Sequence, residues 1–96
     1  MPEPEPHQRV SVRVEGRVQG VGFRYFTQTC ARSLNLTGWV RNAYDGSVEA
    51  VAEGPPGRLE RFVSQLREGP RSSRVDRVTV DRQDAGGEFT DFSVRH

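Results

Sequence analysis

Apolar Val10, Val12 and Val14 alternate with polar Ser11, Arg13 and Glu15, a period of two that predicts a half-buried strand. From Gly22 the period lengthens. Phe23, Phe26, Cys30 and Leu34 recur at steps of three and four, with Thr27 and Ala31 on the same face. An amphipathic helix of about a dozen residues is expected there, with Asn35 as its stop. Thr37 to Tyr44 reads as a second strand, and Asp45-Gly46 as a hairpin turn into a third strand carried by Val48, Ala50 and Ala52. Gly54-Pro55-Pro56-Gly57 breaks the sheet and opens a second helix, in which Leu59, Phe62, Val63 and Leu66 hold the i, i+3, i+4, i+7 spacing until Gly69-Pro70. Val78 and Val80 mark a fourth strand, Ala85-Gly86-Gly87 a turn, and Phe92 with Val94 a last strand.

This order, βαββαβ plus a C-terminal strand, predicts an α+β ferredoxin-like sandwich: a mostly antiparallel sheet with two helices on one face. The domain is expected to span residues 8–96. Residues 1–7, with their acidic proline-spaced Pro2-Glu3-Pro4-Glu5-Pro6, read as a disordered N-terminal tail.

Composition narrows the chemistry. At 96 residues and 33% hydrophobic, with ten glycines besides, one small core is expected to hold without staples. The net charge of +1, with acids and bases interspersed, argues against nucleic acid or an anionic membrane as partner. All 14 basic residues are arginine, so neither a Schiff-base lysine nor a phosphate-binding lysine is available. Cys30 is the only cysteine and lies on the apolar helix face, a core position; it excludes an internal disulfide and a cysteine metal cluster. No apolar run reaches the length of a membrane span or a signal-peptide core, and a cytoplasmic location is expected.

Candidate chemistry concentrates between the first strand and the first helix, in Gly16-Arg17-Val18-Gln19-Gly20-Val21-Gly22-Phe23-Arg24. Glycines permit positive φ and close approach of a ligand to the main chain. A helix N-terminus presents unsatisfied N–H groups and partial positive charge, and Arg24 in the first turn adds a planar cationic fork. The combination points to one phosphate-sized dianion. Familiar phosphate signatures fail here. Tyr25 stands where a dinucleotide fingerprint needs its third glycine, no Gly-Lys-Ser/Thr exists, and Leu36 stands where a cysteine phosphatase loop wants arginine. His7 and His96, at the two ends, are poor candidates for a general base.

The same nine residues resemble the acylphosphatase signature glycine-x-valine-glutamine-glycine-valine-x-phenylalanine-arginine without departure. Gly38-Trp39-Val40-Arg41-Asn42 resembles the family's second signature, and the likeness extends from about Val10 to the C-terminus. The resemblance implies hydrolysis of acyl phosphates to a carboxylate and inorganic phosphate, with no metal, no cofactor and no covalent enzyme intermediate. It assigns Arg24 to the phosphoryl group, Asn42 to the attacking water, and Gln19, Gly20, Val21, Gly22 and Phe23 to phosphate binding through backbone amides. A monomer acting on a small molecule is expected. Without the resemblance, Asn42 before Tyr-Asp-Gly would read as a turn former. RNA-recognition domains share the βαββαβ order but stack bases on sheet aromatics. Here the first strand offers Ser11, Arg13 and Glu15, and the third Ser47, Glu49, Val51 and Glu53, an acidic face without aromatics.

Overall fold

The computed structural model describes residues 6–96; the expected tail falls mainly on residues 1–5, outside the described residues, while Pro6 and His7 are exposed. The elements run β1 (Gln8–Arg17), α1 (Phe23–Ser33), β2 (Thr37–Asn42), β3 (Val48–Gly54), α2 (Pro56–Glu68), β4 (Arg74–Asp84) and β5 (Phe92–Arg95). The five strands lie in the order β4-β1-β3-β2-β5, antiparallel throughout except for the parallel β2–β5 pair. This is the ferredoxin-like sandwich expected from the residue pattern.

The period-two strands bury one face. Val10, Val12, Val14, Val40, Val48, Ala50, Ala52 and Phe92 pack beneath Phe23, Cys30 and Ala31 of α1 and Leu59, Phe62, Val63 and Leu66 of α2. Phe62 meets Phe92 edge-on at 5.9 Å between ring centroids, a favoured arrangement for aromatic pairs. In α1 the buried residues are Phe23, Thr27, Cys30 and Ala31, with Phe26 and Leu34 only partly covered. Asn35 takes the left-handed conformation at φ 54°, and the Leu36 amide turns back to the Ala31 carbonyl at 2.9 Å. That explains the helix stop read from the sequence.

Two expectations need correction. β2 ends at Asn42, not Tyr44, and a five-residue turn, Ala43–Ser47, replaces a tight Asp-Gly hairpin. The Asp45 carboxylate accepts from the Ser47 amide (3.0 Å) and hydroxyl (2.6 Å), and the Gly46 amide reaches the Ala43 carbonyl. These local bonds outcompete two further ladder positions. The open sheet face is also neither simply acidic nor free of aromatics. Trp39 lies there under the guanidinium groups of Arg41 and Arg95, and Arg13 and Arg41 both pair with Glu49.

Glu53, on that face, is buried, and it fastens the segment between β4 and β5. Its carboxylate accepts from Arg9 Nε at 2.6 Å and from the Gly86 and Gly87 amides at 3.1 Å each. Burial pushes the Glu53 carboxyl up, but the Arg9 hydrogen bond and the two glycine amides more than reverse this, so its pKa lies below the ordinary value. A depressed folded-state pKa contributes stability above the unfolded carboxyl value of ~4.3. That contribution is lost as pH falls from there through the folded-state value. Glu53→Gln should therefore cost about 1–3 kcal/mol at neutral pH, read by denaturant unfolding. Its deficit relative to wild type should shrink on acidification below pH ~4.3; a deficit independent of pH would show that the charge is not what fastens the segment.

Candidate active site

Topology brings three strand ends together. β1 and β2 both run antiparallel to β3, and β5 runs parallel to β2, so the C-terminal ends of β1, β2 and β5 emerge at one edge of the sheet. The glycine loop leaves β1 at this edge and α1 begins there. Asn42 sits opposite Val48, which in turn sits opposite Val14. Asn42 therefore shares the helix-side face with buried Val40 and lies at the end of the sheet beside the start of α1.

Gly20 and Gly22 hold φ of +74° and +77°, with open space where a Cβ would stand. The requirement for glycine is thus one of backbone conformation rather than room. Gly22 is the N-cap of α1, and neither a capping side chain nor an acidic residue occupies the first turn. The amides of residues 19–23 donate to no acceptor among the described residues. Helix starts normally satisfy such donors with a Ser, Thr, Asp or Asn cap, and unpaired donors at a helix start favour an anion.

Gly20, Gly22, Phe23, Arg24 and Asn42 line one cavity of about 100 Å³, together with Val18 and Tyr25. No Asp, Glu or His is among its lining residues. Two of the residues expected here contribute differently. Gln19 and Val21 belong to the loop but do not line the cavity. The Val21 carbonyl accepts from Ser72 Oγ at 2.9 Å, and Gln19 Nε2 donates to the carbonyls of Ala43 (2.7 Å) and Ser47 (2.9 Å). The Gln19 side chain thereby fixes the glycine loop to the turn that follows Asn42. Phe23 is anchored in the core and reaches Phe26 edge-on at 5.8 Å.

Arg24 is held from the far end of the chain. Its Nη1 donates to the Arg95 carbonyl at 3.1 Å and lies 3.1 Å from His96 Nδ1. A guanidinium has five N–H donors, so this clasp leaves most of the fork to face the cavity. The sequence pattern assigned nothing to the Arg95 carbonyl, to His96 beside Arg24, or to the Gln19 side chain. No local signal marks contacts between residues 24 to 72 positions apart. Among the described residues no three of His, Cys, Asp and Glu gather as a metal-binding group, and no helix is long and apolar enough to cross a membrane.

Comparison with known proteins agrees with this geometry. The acylphosphatase family model matches residues 10–94. The chain is 56% identical over 88 residues to the acylphosphatase of Salinibacter ruber, covering 92% of this chain and 93% of that one. The crystal structure of acylphosphatase from Bacillus subtilis superposes with a TM-score of 0.90 at 40% identity, covering 93% and 99% of the two chains. An acylphosphatase structure from Coxiella burnetii gives 0.87 at 37% identity, with 94% of each covered. With its glycine loop, its half-buried arginine and its strand-end asparagine gathered at one edge of the sandwich, the chain belongs to the acylphosphatase family.

Proposed function

We propose that this protein hydrolyses acyl phosphates to a carboxylate and inorganic phosphate by in-line attack of a water that Asn42 positions. The observation that carries the reading is the convergence of Arg24, Asn42 and an uncapped helix start on one small cavity. In it the phosphoryl oxygens take hydrogen bonds from the amides of the loop residues that line it, Gly20, Gly22 and Phe23, and from the free prongs of Arg24. Preorganised donors of this kind neutralise charge on the transferring group, which is most of what phosphoryl transfer requires of a protein.

The leaving group explains how so few residues suffice. The P–O bond to the acyl oxygen breaks, and its electron pair departs on a carboxylate whose conjugate acid has a pKa of about 4. No general acid is needed. The new bond forms from water oxygen to phosphorus, and the proton lost by water goes to a phosphate oxygen or to solvent, since the cavity is lined by no carboxylate or imidazole. The Asn42 amide both donates and accepts, so it orients water without placing negative charge beside a dianion.

The same reading takes residues 8–96 as one catalytic domain, acting as a monomer on a small substrate without metal or nucleic acid. The direct test is release of phosphate from acetyl or benzoyl phosphate by purified protein in excess EDTA. Full turnover is expected, with little activity on an alkyl phosphate monoester, whose alkoxide cannot leave unprotonated. Loss of turnover on chelation would overturn the metal-free mechanism.

A further inference from the structure

Asn42 lines two concavities. Beyond the small cavity it borders a wider groove of about 600 Å³, shared with Arg41, Tyr44, Asp45, Glu49 and His96. We propose that this groove is the acyl subsite and that Tyr44 is a specificity-determining residue, biasing the enzyme toward acyl phosphates with bulky, uncharged and especially aromatic acyl groups. The inference rests on the hydrolase reading above.

Size comes first. A cavity of about 100 Å³ that holds the phosphoryl group leaves little space for more, so the acyl part extends past Asn42 into the larger space. Surface chemistry comes second. Among the described residues the exposed large hydrophobic side chains are Tyr25 (59%) and Tyr44 (fully exposed), and they flank the small cavity and the groove respectively. Exposed aromatic rings beside a pocket gain by covering, and a planar ligand offers them edge or face contact.

Charge decides the rest. Arg41 donates to Glu49 at 2.9 and 3.2 Å, Asp45 is paired with Arg13, and Arg13 lies 3.6 Å from Glu49. The arginine that lines the groove, Arg41, is thus already committed to a carboxylate. A second carboxylate on the acyl group would meet Asp45 and Glu49 in a groove whose lining arginine, Arg41, is already paired with Glu49, whereas an uncharged group meets no such penalty. The backbone that carries the ring is held in place. Tyr44 stands in the turn whose Ala43 amide bonds the Ser47 carbonyl at 2.9 Å, and Gln19 grips the carbonyls of both those residues.

The test compares kcat/KM for acetyl, benzoyl and succinyl monophosphate in wild type, Tyr44→Ala and Tyr44→Phe. Taking the benzoyl-to-acetyl ratio across variants cancels the differing intrinsic reactivity of the two substrates. We expect this ratio to fall about three- to tenfold in Tyr44→Ala, mainly through KM for benzoyl phosphate, and to be retained in Tyr44→Phe. Succinyl phosphate should be no better a substrate than acetyl phosphate. A ratio unmoved by Tyr44→Ala, or a preference for the carboxylate-bearing substrate, overturns the subsite while leaving the hydrolase intact. Failure of the wild type to turn over any of the three would instead overturn the hydrolase reading on which the subsite depends.

Discussion

Arg24→Lys should lower kcat/KM for an acyl phosphate by about a thousandfold or more while the protein remains folded. Lysine keeps the positive charge at the start of α1 but replaces a planar fork with a compact ammonium. In the native site one prong of Arg24 is spent on the Arg95 carbonyl, and the remainder faces the cavity with the loop amides. A lysine that followed the carbonyl would abandon the phosphoryl group, and one that followed the phosphoryl group would lose its anchor. Inhibition by inorganic phosphate should weaken as well, since the lost contact serves both substrate and product. Because Arg24 is only half-buried and outside the core, thermal unfolding should change by little. Activity within tenfold of wild type would mean that charge alone suffices and that the fork geometry plays no part.

The second large effect separates attack from binding. Asn42→Ala should reduce kcat by about a hundredfold or more, the scale on which misplacing a reactant acts, with inhibition by inorganic phosphate almost unchanged. The β2–β3 pairing at Asn42 and Val48 is made by the backbone and survives the change. Asn42→Asp is the sharper variant. It is nearly isosteric and still accepts a hydrogen bond, but it places a carboxylate beside a dianion, so both turnover and phosphate binding should suffer. Steady-state kinetics with phosphate as a product inhibitor distinguish the cases. Should phosphate inhibition in Asn42→Ala weaken in proportion to kcat, Asn42 would be a binding group and the attacking water would need another holder.

Much of the fold and of this candidate site is legible in the sequence. Residues that act where they stand in the chain, such as the glycines that bend the loop and Arg24 in the first helical turn, announce themselves through local pattern. So did every helix and strand whose buried face follows a regular period. What escaped was set by side chains reaching across the fold. Asp45 bonding Ser47 shortened β2 and widened the turn. The aromatic of the open face, Trp39, lies on β2 and not on β1 or β3, whose outward residues are polar or small, so those two strands alone give no sign of it. The Gln19 side chain is the clearest instance. Its place in the loop was plain, but that its amide would grip two carbonyls of a turn 24 to 28 residues away depends on the sheet order alone.

The clasp on Arg24 gives the molecule an internal optical reporter. Arg95 serves two neighbours at once: its carbonyl steadies Arg24, and its guanidinium lies 4.5 Å from the centroid of Trp39, the sole tryptophan. Arg24 and Arg95 are 71 positions apart in a chain of 96, so their meeting belongs among the long loop closures that slow folding. Indole emission should therefore report the docking of β5, the same contact that brings the Arg95 carbonyl to Arg24.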